Sequence, residues 1–245
     1  MIAAPLPLLG TFHEISVVAD DMREAVEFYE RLGFSQAPTG DTFSHPYGVL
    51  TDGRLFIGLH RRTGPSPVLT FVRPGVAASL AAFAAAGIQL THSQTGEEVF
   101  NEIAFVDPFG HSVAVLEART FSPVARLASE TSLCGDFAEV SLPVRDLAAA
   151  QSFWEPLGFV APEPPEPSSP YLVLTSDYID LTFHLPRVCE RPMLVFRGPD
   201  MRPRIDRLSE LGLPLHAVPP TPERAAGGAL LESPGGLPLL LLQEE

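Results

Sequence analysis

The chain has 245 residues, 45% hydrophobic and 19% charged, enough apolar content for one large core or two of ordinary domain size. Its 30 acidic against 16 basic residues give a formal charge of −14, which argues against a nucleic-acid backbone or an anionic membrane as the main partner. Two cysteines, Cys134 and Cys189, are too few for a secreted disulfide scaffold and suit reduced thiols. The opening MIAAPLPLLG lacks a basic n-region and is broken by Pro5 and Pro7, so neither signal peptide nor membrane span is expected and the protein reads as cytoplasmic.

From Phe12 the pattern alternates, with His13, Ile15, Val17 and Ala19 on one strand face and Phe12, Glu14, Ser16 and Val18 on the other. Asp21 stands where a helix N-cap belongs, and Ala25, Phe28, Tyr29 and Leu32 form a helical stripe that stops at Gly33. Strands over YGVLTDGRLFIGLH follow. A second unit of the same order comes next: VLTFV, the alanine-rich VAASLAAFAAAG, EIAFV, a DPFG turn and HSVAVLE.

The chain then repeats itself. Phe12–Phe34 and Phe137–Phe159, 125 residues apart, match at ten of twenty-three positions, including Glu14 with Glu139 and Asp21 with Asp146. Tyr47 pairs with Tyr171, His60 with His184, and DPFG with SPGG. The expected organisation is a first domain over 11–119, a linker over 120–135 and a second domain over 136–243, four βαβββ units in all. The class is α+β, each domain a pair of units forming a curved, cleft-bearing mixed sheet. APEPPEPSSP, from 161 to 170, reads as a stiff loop inside the second domain.

ADDMREAVEFYERLGF after a strand, and FVDPFGHSVAVLE near the domain end, resemble the vicinal oxygen chelate superfamily: glyoxalases, bleomycin-resistance proteins and extradiol dioxygenases. VRDLAAAQSFWEPLGF and ESPGGLPLLLL carry the likeness into the second copy. The resemblance implies paired units that complete a cup, making the chain an internal pseudo-dimer that could still self-associate. In the metal enzymes of that family the cup's inner face holds a divalent metal through His, Glu or Gln. The corresponding positions are Glu14 and Glu139, then Gly58 and Thr182, Pro67 and Pro192, and Ala114 and Leu240. Only the glutamates are good ligands, so the usual centre is expected to be missing, with Glu14 and His60 as the remaining metal candidates. Glu117, three residues past Ala114, points to the other face of a regular strand.

His60 and His184 share a strand face with the ligand positions two residues earlier. A glutamate beside such an imidazole would orient it and raise its basicity. Phe12, Ser16 and Phe56 are expected to line the first cleft, Phe137, Ser141, Asp180 and Thr182 the second, with the hydroxyls of Tyr47 and Tyr171 at the cleft mouths. His45, His92, His111 and His216 read as surface residues in or near loops. No phosphate loop, Ser-His-Asp spacing, CxxC pair or basic aromatic stripe is present. The favoured function is binding of a small organic molecule without a metal. The alternative is a glyoxalase-like lyase or isomerase, or an extradiol-type dioxygenase, with an unusual site around Glu14 and His60. A third reading is an interaction domain whose clefts are filled by side chains.

Overall fold

A strand, β1 (Thr11–Val18), runs towards Asp21, whose carboxylate accepts from the Arg23 and Glu24 backbone N–H groups at 2.9 and 3.0 Å and so starts α1 (Met22–Arg31). Ala25, Phe28 and Tyr29 form its buried stripe, and Gly33, at φ 88°, ends the turn in a conformation that favours glycine. These elements belong to a computed structural model that describes residues 7–39, 45–118, 132–162, 169–176, 179–186, 190–219 and 227–244. Most of the expected linker (120–131), residues 163–168 of the proline-rich loop, and Cys189 lie outside the described residues.

The first unit closes with β2 (Ser35–Ala37), β3 (Tyr47–Thr51) and β4 (Phe56–His60). The second comprises β5 (Val68–Arg73), α2 (Val76–Ala85), β6 (Leu90–Gln94), β7 (Glu102–Val106) and β8 (Ser112–Glu117). The N-cap of α2 is Gly75, which has no side chain to offer. Glu117 supplies the cap instead, accepting from the Gly75 and Val76 N–H groups at 2.7 and 2.8 Å. Its opposite-face orientation therefore serves the helix.

In the second half come β9 (Asp136–Pro143), α3 (Leu147–Trp154), β10 (Tyr171–Thr175) and β11 (Asp180–His184), then β12 (Met193–Gly198), α4 (Met201–Glu210), β13 (His216–Val218), β14 (Gly228–Glu232) and β15 (Pro238–Gln243). Asp146 caps α3 through the Ala149 N–H at 3.0 Å. Where the first copy has β2, the described residues of this copy form a bridge between Val160 and Thr175. Pro162 follows at once, and proline cannot extend a ladder.

The architecture is α+β: an eight-stranded mixed sheet in the order β2-β3-β4-β1-β5-β8-β7-β6 and a seven-stranded one in the order β10-β11-β9-β12-β15-β14-β13, both open. β1 runs parallel to β4, β5 to β8 and β12 to β15. No helix among the described residues is long and apolar enough to cross a membrane.

The residues group into two compact units. One holds the described residues of Met1–Glu14, Val68–Pro123 and Leu142–Arg191; the other those of Ile15–Pro67, Val124–Ser141 and Pro192–Glu245. Inside the first, Phe71 meets Phe12 at 5.5 Å and Phe159 at 6.4 Å, edge to face. Inside the second, Phe196 meets Phe137 at 5.7 Å and Phe34 at 6.4 Å in the same manner. Each unit thus contains one version of the same aromatic triplet, its members 125 residues from their counterparts. The duplication is carried into core packing.

Candidate functional site

β3 and β4 pair antiparallel with Tyr47 opposite His60, Val49 opposite Gly58 and Thr51 opposite Phe56. β1 lies on the other side of β4, Ser16 beside Gly58 and Val18 beside His60. Paired residues share a face, so Ser16, Tyr47, Phe56, Gly58 and His60 form one surface of the second compact unit. His45 lies on the approach to β3, and its Nε2 is 2.9 Å from His60 Nδ1. The Tyr47 ring sits 4.7 Å from that of His60. His60 and Ser16 are buried; Tyr47, Phe56 and His45 are half-buried.

A hydrogen bond between two neutral imidazoles requires one to donate and the other to accept. The tautomer of each histidine is thereby coupled to that of its partner. Such a dyad can accept a proton from an acidic hydroxyl or donate to a ligand oxygen. His45, expected on the surface, is instead the partner of the buried histidine. Its only sequence signal was a position two residues before Tyr47, the parity of the same face.

The corresponding position in the second copy is Ser169, whose hydroxyl donates to the Tyr171 carbonyl at 2.7 Å. Tyr171 and His184 repeat the ring pairing at 6.0 Å, but Tyr171 is 43% exposed. The dyad belongs to one copy only.

Register sets His60 level with Val18, not with Glu14. Glu14 is fully buried, and its Oε2 lies 3.8 Å from Nε2 of His13, a residue assigned to the opposite face by simple alternation. In the repeat, β9 is irregular. Val195 pairs with Glu139 but Phe196 with Phe137, so the register skips Ala138, the counterpart of His13. In the first copy His13 reaches Glu14 and Phe12 packs on Phe71. Phe12 is accordingly a core residue, 5% exposed, and Phe137 packs on the buried Phe196.

Beside Glu139 the surface is aliphatic: Val195, Leu240 and Leu242 cluster with Met193, Val218 and Leu230. Expected aromatic walls are therefore not found on this part of the second sheet. Ser141 donates to Glu139 at 3.3 Å, and Thr175 to Asp180. Thr182 is buried, its hydroxyl without a hydrogen-bond partner among the described residues. His111 is 7% exposed and bonds the Pro143 carbonyl at 2.9 Å, so it too is not the surface residue expected; His92 is exposed and paired with Glu102 at 3.0 Å.

The fold is shared with solved extradiol dioxygenases. A catechol 2,3-dioxygenase superposes with a TM-score of 0.63 at 12% identity, over 98% of this chain and 89% of that one. The 2,3-dioxygenase LapB from Pseudomonas sp. KL28 gives 0.64 at 16% identity, over 98% and 94%. An extradiol ring-cleaving dioxygenase from B. fuscum gives 0.65 at 14% identity, over 99% and 74%. The chain therefore has the vicinal oxygen chelate fold in its tandem form. No family profile and no curated protein matches it.

Metal enzymes of that superfamily imply a divalent cation, and the residues here do not fit the family's donor set. Among the described residues no group of three or more His, Cys, Asp or Glu could hold an ion. Ala114 stands between Thr70 and Ala104 in the sheet, Gly58 between Ser16 and Val49, and Leu240 is packed in the aliphatic cluster. None of these side chains offers a lone pair to a metal.

Proposed function

We propose that the protein binds a small, partly planar organic molecule at the face carrying Ser16, Tyr47, Phe56 and His60, without the metal centre usual for its fold. The observation that carries this reading is the 2.9 Å bond between His45 and His60 beside the Tyr47 ring. Two hydrogen-bonded imidazoles in coupled tautomers present directional polar groups, and Tyr47 and Phe56 supply ring surface. A phenol or enol suits this pairing, because its hydroxyl can donate to or share a proton with the dyad. The two repeats, 11–119 and 136–243 around a linker at 120–135, are read as an internal pseudo-dimer in which the first copy binds.

A second reading is an enzyme, a dioxygenase, lyase or isomerase, and the fold likeness to extradiol dioxygenases favours it. The two readings separate on one experiment. Protein stripped with a chelator is melted against a panel of phenols, catechol included, and against the same panel with manganese or iron restored. Stabilisation without metal that His60→Ala removes supports the binder. Stabilisation or turnover that appears only with metal supports the enzyme.

A further inference from the structure

The first compact unit contains a cavity of about 280 Å³ lined by Leu9, Phe71, Leu157, Phe159, Val160 and Thr175, with Pro7, Gly10, Gly158 and Ser176 completing the wall. We infer that this cavity is a second ligand site, one that takes a neutral apolar molecule about the size of a single aromatic ring. It is separate in residues and in chemistry from the His45–His60 face.

The duplication shows why a space exists here. In the second compact unit the segment Ser132–Gly135 covers the end of α1: the Leu133 N–H donates to the Leu32 carbonyl at 2.8 Å, and Cys134 is fully buried. The counterpart in the first unit is Pro7–Gly10, which forms the same turn, Gly10 N–H to the Pro7 carbonyl at 2.9 Å beside Gly135 N–H to Ser132 at 3.2 Å. Among the described residues, however, Leu8 makes no bond to Leu157 like that of Leu133 to Leu32. The Leu8 carbonyl instead accepts from Arg73 at 2.6 Å. Pro7 closes against Gly158, where an added Cβ would lie 2.7 Å from the proline ring, and the cavity lies beside that contact.

The polar side chains of the wall are already engaged, which favours an apolar ligand. Thr175 donates to Asp180, and the Ser176 hydroxyl donates to the Ile179 carbonyl at 3.0 Å. The backbone groups of Val160 and Thr175 bond one another at 2.8 and 2.9 Å. The other side chains of the wall are apolar, with Leu9, Phe71, Leu157 and Phe159 buried and Val160 60% exposed. An enclosed apolar cavity of about 150 Å³ admits benzene; this pocket is larger and opens to solvent at Val160.

The test is titration of benzene into the full chain, followed through backbone amide resonances, with Val160→Trp as the blocking variant because an exposed position accepts a larger ring. Saturable shifts confined to Leu157, Gly158, Phe159 and the Thr175–Ser176 pair, and lost in Val160→Trp, are expected. No saturable shift in the wild type, or shifts that persist in a folded Val160→Trp, would overturn the inference. Should Val160→Trp fail to fold, the wild-type protein decides: saturation at those amides supports the site, and its absence refutes it.

Discussion

The Trp154 indole N–H donates to the Asp107 carboxylate over 3.3 Å, deep in the first compact unit. Asp107 opens the DPFG turn, where it also accepts from the Phe109 and His111 N–H groups at 2.9 and 2.8 Å. In the second unit the residues 125 and 126 positions away are Tyr29 and Ser233. There the buried phenol faces Ser233 without closing a hydrogen bond of ordinary geometry, and burial holds its ionisation well above the usual range. The charged, well-bonded version of the contact is thus in one unit only.

Asp107→Ala should accordingly be costly. It removes the acceptor for two turn amides and the indole, and buried donors left unpaired cost more than the bond itself is worth. A loss of about 3 kcal/mol is expected in urea unfolding, with Trp154→Phe costing less. Equal small losses for both would mean that the contact does not organise the turn.

Glu117→Ala should uncap α2, since Gly75 offers no side chain in its place. The expected cost is about 1 kcal/mol, that of losing a helix cap. Amide exchange should quicken first at Val76 and its neighbours rather than in β8.

Cys134 is fully buried, and burial pushes its thiol up to about 12, opposed by the Ser132 hydroxyl. In the unfolded chain the thiol ionises near about 8.5. Between those values the unfolded state releases a proton that the folded state keeps, so stability falls as pH rises. Cys134→Ser should flatten that alkaline decline, and peptide mapping after iodoacetamide should find Cys134 unmodified until the protein unfolds. Rapid native labelling of Cys134 would contradict the burial account.

Local chemistry made much of the fold legible. Asp21 and Asp146 cap helices, Gly33 ends one, and the repeated Phe34 and Phe159 enter matching aromatic contacts. What alternation alone could not reveal was the irregularity at Ala138, which skips one residue of register and reassigns its neighbours. In the first copy His13 meets Glu14 although strict parity separates them, Phe12 is a core residue, and the half-buried Phe137 packs on the core residue Phe196. His45 was missed for another reason: it lies outside β3, where parity with Tyr47 is a weak guide, and only tertiary placement brings it to His60. His111 follows the turn at Asp107, where polarity resembles that of any surface loop; its burial depends on the Pro143 carbonyl 32 residues away.

The dyad is the core of the functional account, and binding of 4-nitrophenol to chelator-treated protein tests it most directly, because absorbance reports both occupancy and ionisation of the phenol. Saturable binding with growth of the phenolate band, weakened at least tenfold in His60→Ala and in His45→Ala while the melting temperature holds, is the predicted result. A tenfold change corresponds to about 1.4 kcal/mol. No saturable binding, or equal binding by wild type and both variants, would contradict the account.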